Sequence, residues 1–319
     1  MYHNTTPAEM QGRVLQDITP AGKVRPWASH KSDAQLLSYA LALTDERAAQ
    51  RVRHCADTLW FRRHEDGSLR LDTAQFCRAR LCPICQWRRS LKMYGQLHQV
   101  VQALAQQRQA AGAQPYAWLL LTLTLRNCSG PDLSATLDTI AKGWDRLCKT
   151  QRYKRAVRGT MRAIEITYNR STGQYHPHMH VLCAVLPSYY TSRDYIRQAQ
   201  WADMWRDAAR LDYNPVVDVR RATGTAGSLA EVAKYATKPS DYLDPSDLDT
   251  LHRVCARRRF AAWTGCLREM HHALHLDDVD GGDLVHVSAL DGESAAGAAV
   301  WAWDWYAGPK LYIGGVHCE

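Results

Sequence analysis

The sequence predicts an α+β protein: an antiparallel sheet of split βαβ topology backed by helices on one face, joined to a small cysteine-rich, zinc-binding module. Three observations predict it. Between Ala117 and Arg220 the chain reads as strand, helix, strand, strand, helix, strand, the order of a split βαβ unit. Two of those strands form a hairpin whose second arm begins His176-Pro177-His178-Met179-His180 and continues as an apolar run to Leu186. Upstream, Phe76-Cys77-Arg78-Ala79-Arg80-Leu81-Cys82-Pro83-Ile84-Cys85 carries a Cys-x-x-Cys knuckle, a tight turn that lets two thiolates converge on one ion.

Composition bounds what these elements can do. The chain has 319 residues, 46% of them hydrophobic, and a formal net charge of +8, enough for one large core and a small second one. Basic residues concentrate between Arg51 and Lys92, which points to a polyanionic partner, nucleic acid first, or to a solvated basic surface. No run of about 18 apolar residues occurs, and Met1-Tyr2-His3-Asn4 opens no signal peptide. A cytoplasmic location follows as the expectation. There the ten cysteines argue for metal or catalysis rather than disulfides.

In chain order, residues 1–24 are polar and punctuated by Pro and Gly, a flexible lead-in. From Ser32 to about Arg53, Leu36, Leu37, Ala40, Leu41, Ala48 and Val52 recur at helical spacing. Leu59 to Arg63 and Leu69 to Leu71 read as strands about an Asp66-Gly67 turn. Cys55, Cys77, Cys82 and Cys85 complete a four-thiolate zinc set, with His54 as the alternate to Cys55. The competing readings are a thioredoxin-type redox pair, whose βαβ surroundings are missing here, and unligated buried cysteines. A helix from Gln86 to about Gln107 places Arg88, Arg89 and Lys92 in its first turns, where they either contact DNA phosphates or face solvent. The lead-in, this helix and the module together give domain bounds of 1–24 and 25–112.

The stretch Gly112-Ala113-Gln114-Pro115 marks a boundary, and the apolar Ala117 to Leu125 follows as a central strand. Leu133, Leu137, Ile140, Trp144 and Leu147 are spaced as a helix, Met161 to Tyr168 as a strand, Ser192 to Arg210 as a helix with Tyr195, Ile196, Trp201, Met204 and Trp205, and Val216 to Arg220 as a strand. A turn centred on Ser171-Thr172-Gly173 places Glu165 opposite His178. Strand alternation puts His176, His178 and His180 on one face. His178 and His180 with Glu165 as third ligand make a divalent-cation site; His176 is a ligand, an outer partner or a bystander. Pro177 cannot donate to a ladder, so regular pairing is expected to begin after it.

Beyond this lies Ser228-Leu229-Ala230-Glu231-Val232-Ala233-Lys234-Tyr235-Ala236-Thr237-Lys238-Pro239, read as a helix capped by Ser228 and ended by Pro239. Glu231, Tyr235 and Lys238 share one face, with Lys234 beside them. Local sequence alone would also accept Glu231 as half of a capping box and Tyr235 as a packing aromatic. A helix from about Asp247 to Leu276, an exposed turn over Asp277 to Asp283, and a docking strand or tail at Trp301 to Tyr306 complete the chain. The expected bounds are 113–240 for the catalytic domain and 241–319 for a helical region and tail packed upon it.

Three blocks in order, Leu121-Thr122-Leu123-Thr124 with Asn127, His176 to Leu182, and Glu231 to Tyr235 with Lys238, resemble the motifs of rolling-circle plasmid replication initiators, the Rep proteins of the HUH endonuclease superfamily. The Cys77 to Cys85 block with Trp87-Arg88-Arg89 is similar to the zinc-containing branch, and the similarity spans about 27–287. The resemblance implies a palm-like nuclease domain in which His178 and His180 bind Mg²⁺ or Mn²⁺. It also implies Tyr235 as the nucleophile and Glu231 as activator of the terminating step. A single motif tyrosine implies a one-tyrosine enzyme. Its substrates would be single-stranded DNA and the plasmid double-strand origin, and its partners a host helicase and DNA polymerase in a bacterial cytoplasm. The rival expectations are an HUH transposase, a zinc-dependent DNA-binding protein without nicking activity, and a small-molecule metallohydrolase.

Overall fold

The computed structural model describes residues 14–19, 21–64, 68–222, 229–230, 232–233, 245–256, 258–287 and 300–318. The chain divides into two compact units. One comprises Met1–Arg89, Leu243–Asp249 and Asp283–Glu319, the other Ser90–Tyr242 and Thr250–Gly282. These points differ from the sequence-based bounds because the region after 240 is shared between the units rather than added to one of them.

The first unit holds α1 (Trp27–Leu41), α2 (Glu46–Arg53), β1 (Thr58–Arg63), β2 (Leu69–Ala74), the first turns of α3 (Pro83–Ala110), β8 (Val300–Tyr306) and β9 (Leu311–Cys318). The single helix expected over 32–53 is two. Asp45 breaks it by turning its carboxylate back to accept from the Ala48 N–H at 3.0 Å, a cap that starts α2 afresh. Helix α3 starts earlier than expected because Pro83 suits the first helical position. The sheet runs β2-β1-β8-β9, entirely antiparallel. Leu59 faces Trp303 across β1 and β8, so the tryptophan-rich tail is a strand inside this unit, with β9 as an unforeseen further strand. Its core is aromatic: Phe61 meets Trp27 and Trp303 edge to face at 6.2 and 5.6 Å.

The second unit is built on a sheet ordered β6-β3-β5-β4-β7, from β3 (Ala117–Thr124), β4 (Val157–Asn169), β5 (Gln174–Val185), β6 (Val217–Ala222) and β7 (Ala261–Thr264). All its pairings are antiparallel, and the mixed α+β class with the split βαβ order is as expected. Helices α4 (Leu133–Lys149), α5 (Gln151–Ala156) and α6 (Gln198–Ala209) lie between strands in sequence, and α4 packs on α6. Arg162 and Cys183 project toward α4: Arg162 senses Asp145 and Cys148 there, and Cys183 senses Cys148. The histidines of β5 alternate with Cys183 and project the other way.

Two expectations are corrected here. The helix expected from Ser192 begins only at Gln198, because the Gln200 side chain accepts the Arg197 N–H at 3.0 Å and fixes the start there; Tyr195 and Ile196 precede it. The helix expected from Asp247 to Leu276 is α7 (Pro245–Cys255), β7 and α8 (Gly265–Ala273). Gly265 turns the chain at φ +52° against the Arg158 carbonyl, where a Cβ would collide. The turn expected over Asp277 to Asp283 is present, with Asp277 and Asp278 exposed, and it is tied down: Lys92 Nζ pairs with the Asp277 carboxylate at 2.5 Å and Gln96 Nε2 donates to its carbonyl at 2.9 Å.

Strand β7 carries Trp263 opposite Met161, on the histidine side of the sheet. The His271 ring of α8 lies 4.8 Å from Trp263, so α8 covers the far end of that face.

Candidate metal centres

Four sulfurs meet in the first unit. Cys55 follows α2, Cys77 follows β2, and Cys82 and Cys85 bracket the start of α3. All four Sγ atoms lie within 4.8 Å of one another. Cys85 Sγ is 3.6 Å from Cys55 Sγ and 3.7 Å from Cys77 Sγ, far beyond a disulfide. Sulfurs about 2.3 Å from a tetrahedral Zn²⁺ stand about 3.8 Å apart, so this donor set fits zinc. Backbone N–H groups of Cys77, Arg78 and Ala79 point at Cys55, Cys85 and Cys77 sulfurs at 3.2–3.4 Å, an environment that favours thiolates.

Four crowded sulfurs cannot share four charges without a cation. Cys77 is held low by its bonds from Cys55, then Cys82 and Cys85. Cys55 is pushed up by its bond to Cys77, Cys82 by burial, and Cys85 by its bond to Cys55. The alternate ligand His54 stands apart from the cluster, its Nδ1 2.7 Å from Asp57 Oδ2. A residue missed in the sequence supports the cluster. Lys31 is fully buried, and its ammonium donates to the carbonyls of Arg53 and Cys55 and to Asp57 at 2.6–2.7 Å. A lysine at the helical spacing of α1 signals a solvated face, so nothing local reveals it.

The basic residues assigned to DNA are corrected. Arg88, Arg89 and Lys92 are each only 2% exposed. Arg88 donates to the carbonyls of Leu284 and Val285, Arg89 to those of Arg78 and Ala79, and Lys92 pairs with Asp277. Their charges are spent on the protein's own backbone and carboxylate, because carbonyls exposed by loops and turns need buried donors.

The second cluster lies on the sheet. Asn169 accepts the Gly173 N–H at 2.9 Å to close the turn, and the resulting register sets Glu165 directly opposite His178, as expected. Pairing begins earlier than predicted: β5 starts at Gln174, and Pro177 sits opposite Ile166. Tyr175 exchanges both backbone bonds with Cys128 on the other side, so Pro177, two residues on, turns its missing donor the same way. The ladder from β3 reaches only Thr124 and His178, and no acceptor there requires it.

Glu165 Oε2 is 3.2 Å from His178 Nε2 and 3.1 Å from His180 Nε2. His178 Nδ1 faces the His176 carbonyl at 3.2 Å. A carbonyl only accepts, so a neutral His178 donates from Nδ1 and turns the Nε2 lone pair toward the carboxylate. Two acceptors then face each other, which a cation between them resolves. Ligands about 2.1 Å from an octahedral cation stand about 3 Å apart, and the observed spacing fits. The imidazoles of His178 and then His180 beside it hold the Glu165 carboxyl well below the usual carboxylate range.

Thr122 lies opposite His180 with Oγ1 3.2 Å from its Nδ1, an outer partner of the kind that fixes ring orientation. His176 is outside the cluster; its Nδ1 donates to Asn127 Oδ1 at 2.8 Å, and burial first, then His178, lowers its pKa. Thr-x-Thr alternation on β3 was the signal for Thr122. Glu231, Lys234, Tyr235 and Lys238 lie outside the described residues.

The replication protein family's sequence profile matches residues 68–313. A "Protein rep" of Bacillus amyloliquefaciens is 35% identical over 94% of this chain and 97% of its own length. One from Streptococcus pneumoniae serotype 2 is 37% identical over 92% and 94%, and one from Lactiplantibacillus plantarum 36% over 91% and 96%. No solved structure matches the chain. Among the described residues no helix is long and apolar enough to cross a membrane. With the expected fold in place and these relatives matching nearly end to end, the chain belongs to the replication protein family of plasmid Rep initiators.

Proposed function

We propose that this chain initiates rolling-circle replication of a plasmid by nicking and rejoining single-stranded DNA at the double-strand origin. The observation that carries the reading is the convergence of His178 and His180 Nε2 on one Glu165 oxygen at 3.1–3.2 Å, in a chain whose family initiates replication. In this reading Glu165, His178 and His180 hold Mg²⁺ or Mn²⁺, with Thr122 orienting His180 and His176 outside the ligand set. Such an ion, when bound, polarises the scissile phosphate and offsets charge that develops on it.

Tyr235 is the nucleophile by its motif position. A phenol near pKa 10 is a weak nucleophile at neutral pH, and the ammonium groups of Lys234 and Lys238 favour its anion. The phenolate oxygen forms a bond to phosphorus while the bond to the 3′ oxygen breaks, and that oxygen takes up a proton. The product is a 5′-phosphotyrosine link with a free 3′-OH, so the phosphodiester energy is kept and a host polymerase can extend the end. Glu231 deprotonates the hydroxyl that attacks when the cycle ends. Cys55, Cys77, Cys82 and Cys85 hold a structural Zn²⁺. The 113–240 stretch carries the chemistry, 25–112 the zinc ligands, and the region after 240 supports both units. A host helicase and polymerase act with the protein in the bacterial cytoplasm.

The test is incubation of the purified chain with labelled single-stranded origin oligonucleotide and Mn²⁺. A covalent adduct is expected, lost in EDTA, with Tyr235→Phe and with His178→Ala plus His180→Ala. Origin binding without any adduct would instead favour a DNA-binding protein that does not nick.

A further inference from the structure

We infer that Arg126, stacked on Tyr213, is a phosphate-binding platform that receives the single strand at the rim of the histidine site. The inference rests on the nuclease reading for its partner, and on geometry for its place. Arg126 stands two residues beyond Thr124, which is paired with His178. Its neighbour Asn127 accepts from His176 at 2.8 Å. Platform and metal-ligating cluster therefore share one end of the sheet.

The platform is built. The Arg126 guanidinium lies 3.9 Å from the centre of the Tyr213 ring, and the Arg126 backbone N–H donates to Tyr213 Oη at 2.9 Å. The loop bearing Tyr213 is fastened around it: Thr124 Oγ1 donates to the Val216 carbonyl at 2.7 Å, Trp205 Nε1 to the Thr124 carbonyl at 2.9 Å, and Arg206 to Asn214 Oδ1 at 2.9 Å. The ring beneath restrains the exposed guanidinium, and a restrained guanidinium can grip a phosphate through two parallel N–H bonds.

The contrast with the module's arginines is what gives Arg126 its role. Arg88 and Arg89 are buried on carbonyls. Arg126 is exposed and has no ion pair among the described residues. An exposed cation held rigid beside a cation-binding carboxylate and two imidazoles fits a polyanion that must lie in both places. A strand threaded toward the histidines would pass one flanking phosphate over this edge.

The test uses the full chain, a fluorescein-labelled oligothymidylate of about 20 nucleotides, EDTA to suppress cleavage, and a KCl titration. Each phosphate contact on single strands contributes about 0.7 to the slope of log affinity against log salt. Arg126→Gln should lower that slope by about 0.7, so the wild-type advantage shrinks about 2.5-fold between 50 and 200 mM KCl. Arg126→Lys should retain the slope with weaker binding, and Tyr213→Leu should weaken binding with less loss of slope. An unchanged slope and affinity in Arg126→Gln overturns the inference. So does a loss of affinity equal at all salt concentrations, which would mean base stacking instead. Absence of wild-type binding to the oligonucleotide overturns it too. Adduct formation with Mn²⁺ is scored separately: adducts with an unchanged Arg126→Gln slope sink the platform alone, whereas a changed slope without adducts sinks the nuclease reading alone.

Discussion

His178 donates from Nδ1 to the carbonyl oxygen of His176, two residues back on the same strand, at 3.2 Å. That bond decides which nitrogen is left for an ion. Because Nε2 carries the lone pair and points at Glu165, the strand itself presets one ligand, while Thr122 presets the other across the sheet.

Thr122→Val keeps the shape of the side chain and removes its hydroxyl. Outer partners of this kind change metal affinity by about 10- to 100-fold when lost. Titration calorimetry with Mn²⁺ should show about tenfold weaker binding. His176→Phe, outside the ligand set, should stay within about twofold by the same reasoning; a loss as large as that of His180→Ala would make His176 a ligand.

Zinc in the four-thiolate cluster should couple to folding of its unit. The purified chain is expected to carry one zinc by elemental analysis and to lose it with Cys82→Ser. His54→Ala should retain the metal, since His54 binds Asp57 and lies outside the cluster.

Lys31 holds two carbonyls and a carboxylate from a site with no solvent. Lys31→Met leaves those carbonyls without their donor, a loss on the order of 3 kcal/mol. The denaturant midpoint should fall accordingly, and Lys31→Arg should fail to restore it because a planar fork cannot reach three acceptors arranged about one ammonium.

The His271 pKa is lowered, by burial first and then by His272. The unfolded chain therefore binds a proton more readily than the folded one, and stability present above the ordinary histidine pKa near 6.5 is lost as pH falls below it. Thermal melts between pH 7.5 and 5.5 should show a smaller decline in His271→Phe, which keeps a ring against Trp263, than in the wild type.

Much of the histidine-bearing sheet was legible because its signals are local. The Ser171-Thr172-Gly173 turn fixes the hairpin register, and a period of two then forces Glu165 opposite His178. Cys-x-x-Cys spacing likewise declares itself. What escaped was decided by distant partners. Leu59 meets Trp303 across some 240 residues of intervening chain, and Ala262 leaves a helical pattern to pair with Arg162. Arg88 and Arg89 show only their charge in sequence, and the carbonyls that consume it come from remote turns. The Thr44-Asp45 break was readable as a cap but was outweighed by helical spacing on both sides.

Peptide mapping by mass spectrometry of the covalent product formed with single-stranded origin DNA and Mn²⁺ identifies the attacking residue directly. A 5′-linked nucleotide on the phenol oxygen of Tyr235 is expected. A nucleotide linked to any other residue, or cleaved DNA with an unmodified protein, would contradict it.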